Sequence, residues 1–411
     1  MAGLRSSSWV WLLALFTIAG FIEAAFWSQL TSFTPLYLRQ LGITGTEELK
    51  AWTGAIASIS TFVGLPFLPF WGALADRYSR KPVIIRSFVA HLLAGVLAML
   101  AGNAWVFLMA RSVQTFSLGN SGLMMTTLSE LVPTKRMGLA FSIMNGAAPL
   151  GAFLGPLVGG PVIDSRGFPA LLALDSVLML GVIIALSVGY TDHFVGHDRG
   201  PLLRMAVNSV GIILSSPRLR LLFPALFVLF AGWMLAFTYV PLAVAELYRG
   251  TEPGTAIGIV VGVGGLSTLI ISPVVGALAD HFGHWRVLFA GATLAALLWP
   301  LPAIASEASA ESAVALALFA AAWAIVNGIV SAVFALSFSV LSSSASADIR
   351  GRVMAFAYLP VNMGFAVGPA VGAVVTRVSV LNALPIMTVF PVAGVLTLLG
   401  TGMLALAVTR R

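Results

Sequence analysis

Charged residues are scarce in this chain, and cysteine is absent. Asp, Glu, Lys and Arg make up 9% of the 411 residues, whereas soluble domains carry about 25%. So little charge excludes an ordinary soluble domain. The absence of Cys excludes disulfides and thiolate metal sites. The rest of the chain is rich in apolar side chains, with 59% hydrophobic residues and a mean hydropathy of +1.00, which is typical of a polytopic membrane protein.

Long apolar runs divide the chain into twelve predicted spans. A spanning helix needs about 20 apolar residues, and lipid accepts only helices or closed barrels. The runs do not alternate between polar and apolar residues, which excludes a barrel. The first run is too long for the apolar part of a signal peptide and is interpreted as an uncleaved span. The predicted spans cover residues 9–37, 52–73, 83–101, 105–129, 138–162, 168–190, 221–245, 255–277, 286–305, 312–340, 353–375 and 383–407.

Positive charge predicts how these spans are oriented. With the N-terminus inside, 16 of the 22 Lys and Arg residues fall on the cytoplasmic side and five fall outside, while Arg111 lies within the membrane. Because Lys and Arg accumulate on cytoplasmic loops, both termini are expected in the cytoplasm, with the chain in the cytoplasmic (inner) membrane. The long connection 192–220 is expected to be a cytoplasmic linker between an N-terminal six-helix bundle, 1–191, and a C-terminal one, 221–411.

Two motifs occur once in each half. "GALADRYSRK" at 72–81 begins like "GALADHFG" at 276–283, and "GAFLGPLVGG" at 151–160 resembles "GFAVGPAVGA" at 364–373. Each pair occupies equivalent positions, between the second and third spans of a half or in its fifth span. The chain is therefore predicted to be a duplicated six-helix unit, with parallel repeats related by an axis along the membrane normal.

These motifs resemble those of the major facilitator superfamily, and within it of the twelve-span drug:proton antiporters. Residues 151–160 match the fifth-span motif G-x-x-x-G-P-x-x-G-G in full, which that family associates with exporters. "LMARSVQ" resembles the fourth-span signature, although Thr115 replaces its usual glycine. The loop signature G-x-L-a-D-r-x-g-r-k is matched except at Ser79, by residues that include Gly72, Asp76, Arg77 and Arg80.

The resemblance implies an all-α fold of twelve transmembrane helices in two pseudo-symmetric six-helix bundles. It also implies rocker-switch alternating access, with spans one, four, seven and ten around a central cavity. The expected function is proton-coupled export of lipophilic, cationic small molecules or drugs. Exporters of sugars, metabolites or lipids and a non-transporting relative of the same superfamily stay open as alternatives.

Charged residues of the repeated loop are expected to control the conformational change. Asp76 follows the second span, where a carboxylate can cap the positive N-terminus of a neighbouring helix. Arg77 and Arg80 can pair with acids at helix ends such as Glu130. Asp280 holds the equivalent place in the second half. The alternative is a basic loop that only fixes topology.

The glycines of the fifth span are expected to allow movement. Gly151, Gly155 and Gly159 lie four residues apart, on one helix face, and permit close approach of another backbone. Pro156 removes a hydrogen bond and bends the helix. Gly368 and Pro369 repeat the pair in the other half, which suits two bundles that rock against each other. Ordinary close packing is the simpler interpretation.

Ionisable residues within spans cost about 2.5–3.5 kcal/mol at a helix centre and indicate function. Three stand out: Glu23, Arg111 and Asp175. Apart from Arg286 at the first position of the ninth, predicted spans seven to twelve contain no Asp, Glu, Lys, Arg or His, so proton coupling is expected in the first half. Glu23 is expected to carry the proton with Arg111 tuning it, and Asp175 is the alternative carrier. A static Glu23 that only holds spans one and four together also stays open.

Two further polar residues are expected to be less important. Arg86 lies near the inner end of its span, where it can snorkel to the interface. His91 is expected to be a hydrogen-bonded packing residue. Aromatic and amide side chains on the cavity spans are expected to bind substrate, namely Phe26, Trp27, Gln114, Trp233, Phe237, Trp323 and Asn327.

Motifs of enzymes and ATP-driven pumps are missing. The His residues form no H-E-x-x-H pattern, and there is no G-x-x-x-x-G-K-[ST] loop. We therefore expect no enzyme activity, no metal and no cofactor, with a proton gradient as the energy source. The expected partners are a small-molecule substrate, protons and the lipid bilayer, without nucleic acid, and the carrier is expected to be a monomer.

Overall fold

The computed structural model describes residues 9–67, 79–117, 120–192, 216–344, 353, 356–378 and 384–409. Every statement about the structure refers to these residues. The loop residues Gly72, Asp76 and Arg77, and most of the predicted linker, lie outside them.

The first half consists of apolar helices that run back and forth. Seven helices carry its six spans, because the fourth span is divided by a short 3-10 turn at Thr115–Ser117. Their bounds are Trp9–Gln40 (α1), Thr46–Gly64 (α2), Arg80–Met99 (α3), Ala104–Gln114 (α4), Asn120–Leu131 (α5), Met137–Arg166 (α6) and Phe168–Gly189 (α7).

The second half repeats this arrangement. Its ninth span is interrupted near Pro300, which has no N–H to continue the helix, so seven helices again carry six spans. Their bounds are Pro217–Leu247 (α8), Pro253–Phe282 (α9), His284–Leu298 (α10), Leu301–Glu307 (α11), Ser312–Ser344 (α12), Tyr358–Val375 (α13) and Val389–Thr409 (α14).

Ten helical segments are long and apolar enough to cross a membrane. The two predicted spans outside this set are the second and the fourth. The second carries Glu47, Glu48 and Lys50 in its first turns, and the fourth is divided into the short helices α4 and α5. The prediction of an all-helical, multi-pass membrane fold is confirmed.

The two halves meet along two pairs of helices. Within the first half α1 packs on α6 and α3 on α7, and within the second half α8 packs on α13 and α14. Between the halves, α6 packs on α9 and α2 packs on α13. These are the fifth span with the eighth and the eleventh with the second, so the interface follows the internal repeat.

Two ends of the molecule are distinguished by their connections. The linker end holds residues 79–81, 131–137, 189–192, 216–218 and 282–284. The Lys50 end, on the other side, holds residues 40–50, 99–104, 164–168, 246–255 and 375–378. The positive-charge pattern predicts that the linker end is cytoplasmic.

Candidate functional site

The candidate site lies between the halves, where α1 faces α8. Trp27 of α1 and Phe237 of α8 stack across the interface, with ring centroids 6.0 Å apart and an interplanar angle of 18°. Glu23 is one helical turn before Trp27, so both side chains lie on the same stripe of α1. Both are half-buried, as expected for groups that line a cavity.

Glu23 is held by a residue of the divided fourth span. Its Oε2 accepts a hydrogen bond from Asn120 Nδ2 at 2.7 Å. Arg86 of α3 is the cation whose charge acts on Glu23. Arg86 Nη2 donates to Ser87 Oγ at 2.9 Å, and the expectation that Arg86 snorkels to the membrane interface remains a prediction.

Arg111 makes contacts that differ from the expected ones. It is buried, and its Nη1 donates to Gln114 Oε1. Its charge acts on His91, whose Nδ1 lies 3.0 Å from the Ser87 carbonyl oxygen, so His91 is the packing residue that was expected. Among the described residues no ion pair joins Arg111 to Glu23, because Gln114 on the same helix holds the guanidinium.

Asp175 lies away from the Trp27 and Phe237 pair. It is 4% exposed, on a helix that packs against α3. Its Oδ2 has no hydrogen-bond partner within the described residues. Burying a charge without a partner is expensive, so this position disfavours a permanently ionised Asp175.

Phe26 also differs from the expectation. It is buried and meets the His91 ring edge-on, with centroids 5.3 Å apart. Neighbouring residues on a helix point about 100° apart, so Phe26 faces α3 while Trp27 faces α8. Only Trp27 of this pair is placed to touch a substrate in the cavity.

The second half contributes an aromatic cluster around Trp233. Its Nε1 donates to Asn327 Oδ1 at 3.4 Å, and Asn327 Nδ2 donates to the Gly264 carbonyl at 2.9 Å. The Trp323 ring lies 6.0 Å from that of Phe237 but is fully buried, so it packs against the cluster without being exposed to a substrate. Sequence analysis missed two half-buried members, Phe334 and Phe365, 5.5 and 6.0 Å from Trp233.

A polar contact joins α2 to the second half at the Lys50 end. Lys50 is 3% exposed, and its Nζ contacts Glu47 Oε1 at 2.9 Å and the Thr376 carbonyl at 3.2 Å. The Tyr239 hydroxyl lies 3.3 Å from the Lys50 carbonyl and 3.0 Å from the Pro369 carbonyl. A hydroxyl has one proton, so it can donate to either carbonyl. The charged side chain and the phenol together hold α2, α8 and α13 in contact.

Asp164 makes the second polar contact between the halves at this end. Its carboxylate accepts from the backbone N–H groups of Gly254 and Thr255, at 2.8 and 2.6 Å, and from the Thr255 hydroxyl at 2.7 Å. These groups lie in the first turn of α9, and the N-terminus of a helix carries partial positive charge. A carboxylate of one half therefore caps a helix of the other.

At the linker end, the polar contacts of Arg80 and Asp192 that the structure describes stay within the first half. Arg80 forms the expected pair with Glu130, through two hydrogen bonds of 2.8 Å. Asp192 accepts from Ser79 Oγ at 2.6 Å and from the Arg80 N–H at 2.7 Å, and so caps α3. Burial raises the pKa of the neighbouring Tyr190 to about 12, so this phenol stays uncharged.

Asp280 has a different environment from Asp192. Its side chain is 79% exposed and lies 3.5 Å from His284, four residues along the chain. A contact this exposed contributes little. The expected gating roles of Gly72, Asp76 and Arg77 remain predictions, because these residues lie outside the described part.

The fifth-span motif packs on two different neighbours. A Cβ placed on Gly151 would lie 2.5 Å from the Phe21 carbonyl, and one on Gly155 would lie 2.8 Å from the Ala25 backbone. Gly159 likewise faces Phe33 and Gln29 of α1, whereas Gly160 faces Gly254 of α9. In the other half, Gly368 packs on the backbone of Ala231 in α8. The motif thus joins α6 both to its own half and to the other one.

A cavity of about 480 Å³ lies beside α1 and α6, with Leu269 of α9 on its far side. Apolar side chains make up most of its lining, including Ile18, Phe21, Ile143 and Leu150. It offers no charged group and is distinct from the space around Glu23.

Comparisons with known proteins agree with this architecture. Residues 15–330 and 252–411 match the model of the Major Facilitator Superfamily. The chain is 32% identical over 284 residues to the "Multidrug resistance protein MdtG" of Rahnella sp., covering 68% of each chain. It is 30% identical over 298 residues to the protein of the same name from Enterobacter lignolyticus, covering 71% of this chain and 70% of that protein.

Solved structures share the fold at low sequence identity. The nucleoside transporter NupG superposes with a TM-score of 0.75 at 14% identity, over 96% of this chain and 99% of that chain. A D-xylose-proton symporter gives 0.74 at 16% identity, over 96% and 97%. The human organic anion transporter MFSD10 gives 0.68 at 17% identity, over 96% and 99%. At such identities the likeness concerns the fold alone.

Proposed function

The chain belongs to the Major Facilitator Superfamily, and on this premise we propose that it exports lipophilic cations from the cytoplasm in exchange for protons. Two relatives that share about two thirds of its length are named multidrug resistance proteins. Their names support a broad class of drug-like substrates. The chemistry of the candidate site supports positive charge on them.

The observation that carries this proposal is the position of Glu23 one helical turn from Trp27, which stacks on Phe237. Aromatic faces attract cations, by about 0.5–2 kcal/mol depending on desolvation. A carboxylate one turn away supplies the opposite charge. The Trp233 cluster extends the apolar surface on the other side of the interface. A lipophilic cation satisfies the carboxylate and the aromatic surface at the same time.

Exchange follows from competition at Glu23. Burial disfavours an ionised carboxylate in general, and a hydrogen-bond donor such as Asn120 favours it. A cationic substrate binds when Glu23 is ionised, and a proton that reaches Glu23 from outside displaces that substrate. Asp175 is the alternative proton carrier, but it lies among buried groups between α3 and α7 rather than beside the aromatic pair.

Alternating access is supported by the closed Lys50 end. Lys50 and Asp164 join the halves there, and in the proposed mechanism the cavity opens toward the linker end in this state. Export requires the opposite state, in which these contacts break. The close contacts along α6 and α9 and along α2 and α13 provide the surfaces about which the halves rock.

Glu23→Gln tests the proposal in proteoliposomes, because it keeps size and hydrogen bonding while removing the titration. We expect the variant to lose proton release driven by tetraphenylphosphonium and to lose export of that cation under a pH gradient. It should still fold and still bind neutral lipophilic compounds. Folding is checked by size-exclusion chromatography, and binding by thermal stabilisation.

Asp175→Asn is the matched control, since it removes the other buried acid of the first half. It should retain cation-driven proton release. If Glu23→Gln exports the cation with undiminished proton coupling while Asp175→Asn does not, the seventh helix carries the proton. If wild-type protein releases no protons with any lipophilic cation, the proposed exchange is wrong.

A further inference from the structure

Asn120 contacts Glu23 from the first turn of α5, directly after the interruption of the fourth span. Asn120 is 3% exposed, and its Nδ2 lies 2.7 Å from Glu23 Oε2. We propose that Asn120 is a positioning residue that fixes the Glu23 carboxylate and sets the pH at which it exchanges its proton, a role that rests on the proton exchange proposed above.

The side-chain amide of Asn120 has a defined orientation. Its Oδ1 accepts a hydrogen bond from the Ser121 N–H at 2.7 Å. Because the carbonyl oxygen is engaged by the backbone, the NH2 group is the part that faces Glu23. An NH2 group only donates, and hydrogen bonds to an ionised acceptor are stronger than those to a neutral one. Asn120 therefore favours the ionised form of Glu23.

Few charged groups surround Glu23, so a neutral donor such as Asn120 has a large influence on its proton affinity. Arg86 of α3 is the cation that acts on Glu23. His91 of α3, Arg111 of α4 and Asp175 of α7 are titratable groups buried elsewhere in the first half. On the helices packed against α1, the other charged groups lie near helix ends: Glu47, Glu48 and Lys50 of α2, Glu130 of α5, Asp164 and Arg166 of α6, Arg218, Arg220 and Glu246 of α8, and Asp280 and His281 of α9.

Both partners belong to the first half, on helices that also pack against each other. Rocking of one half against the other leaves the hydrogen bond intact, unlike the contacts of Lys50 and Asp164. Asn120 therefore sets the proton affinity of Glu23 in both states of the carrier, and the change in solvent access supplies the difference between loading and release.

The test is a pH titration of the Glu23 carboxyl by infrared difference spectroscopy of the full chain in lipid vesicles. The carboxylic C=O band of Glu23 is the one lost in Glu23→Gln. In Asn120→Leu, which keeps the volume but has no donor, the midpoint of this band should move upward by about one pH unit or more. Asn120→Ala should also move it upward, because it removes the same donor and introduces no new titratable group.

Thr127→Val is the matched control. It removes a buried hydroxyl from the same helix, and that hydroxyl bonds the Leu123 carbonyl rather than Glu23. Its midpoint should equal that of the wild type. If Asn120→Leu folds poorly, Asn120→Ala keeps the test valid, because the smaller side chain also removes the donor without adding a charge.

The readout separates the two proposals because it needs no transport. An unchanged or lowered midpoint in the Asn120 variants overturns the positioning role, even when cation-driven proton release works as proposed. A raised midpoint supports that role. A raised midpoint in protein that moves no cation would leave Asn120 as the positioning residue and refute the export of cations instead. In a working exporter, the pH profile of export should shift together with the band.

Discussion

Asp192 and Asp280 both lie near the linker end. They differ in how many hydrogen bonds their carboxylates accept and therefore in their expected contribution to stability. Asp192 accepts hydrogen bonds from Ser79 and from the first N–H groups of α3. Asp280 is largely exposed, and only His284 lies within ion-pair distance of it in the described chain. Asp192 therefore caps the N-terminus of α3, whose N–H groups would otherwise be unsatisfied, whereas Asp280 is solvated.

Asp192→Ala should therefore destabilise the first half by about 0.5–2 kcal/mol, the usual cost of losing a helix cap. Asp280→Ala is the matched control and should change stability by less than about 0.5 kcal/mol. SDS titration of the purified variants, followed by circular dichroism, measures the difference. Equal stability of the two variants would show that Asp192 does not act as a cap.

The contacts of single residues could be predicted from the sequence in cases where they depend on position along a helix. Arg80 and Glu130 lie at helix ends, where charged partners are few, and their pairing was expected. Asn120 was missed, because its contact with Glu23 depends on how α5 is rotated about its axis. A polar residue just past the break in the fourth span was the available signal for Asn120.

The helix α6 combines two kinds of contact along one element. Gly151 and Gly155 face the backbone of α1, while Gly160 faces α9 in the other half. A Cβ placed on Gly146, just over one turn before Gly151, would meet no atom of the described chain within 4 Å. The same residue type is thus essential for packing at one place and free at another.

Gly155→Ala should separate α1 from α6, because the new Cβ would lie 2.8 Å from backbone atoms of Ala25. Overpacking of this kind costs about 1–3 kcal/mol. We expect lower stability and slower turnover per folded molecule, with substrate binding partly retained. Gly146→Ala, whose Cβ meets open space, should keep both properties, as measured by thermal inactivation and by export in proteoliposomes. Wild-type turnover in Gly155→Ala would contradict the role of close packing.

At the level of elements, apolar run length predicted where the spans lie but not how they are built. The fourth and ninth spans are each two helices, and α2 begins at Thr46, before the apolar run that predicted it. Hydropathy averages over a window and cannot locate a 3-10 turn or a charged first turn. Buried Lys50 was counted as a loop charge for this reason.

The uneven positive charge predicts the orientation of the whole molecule, and the absence of Cys makes this prediction measurable. We expect a cysteine in place of Gly200, in the predicted linker, to react with an impermeant maleimide only after the cells are opened. Ala310→Cys, at the Lys50 end between α11 and α12, is the control and should react in intact cells. Labelling in the reverse pattern would invert the orientation and the direction of transport proposed here.

In the proposed alternating-access mechanism, the balance between the two states of the carrier depends on contacts that exist in only one of them. Asp164 contributes three hydrogen bonds to α9 across the interface at the Lys50 end. Hydrogen bonds to a charged group are worth about 1.5–3 kcal/mol each when both partners would otherwise be buried, and less where water replaces them. Asp164→Ala should therefore shift the balance by roughly tenfold or more toward the state that is open at the Lys50 end.

Pulsed electron paramagnetic resonance measures this shift. Spin labels on Thr46→Cys and Ala310→Cys report the separation of the halves at the Lys50 end, and Asp164→Ala should increase the population at long distance. Glu252→Ala is the matched control, because Glu252 is an exposed acid at the start of α9, the helix that Asp164 caps, and the Glu252 side chain makes no capping bond.

The affinity for tetraphenylphosphonium within the state open to the linker end should not change, since Asp164 lies far from Glu23. Apparent affinity from that side should fall in proportion to the population lost. A distance distribution identical to that of Glu252→Ala would mean that the packing of α6 on α9 and of α2 on α13, without the charged cap, sets the balance between the two states.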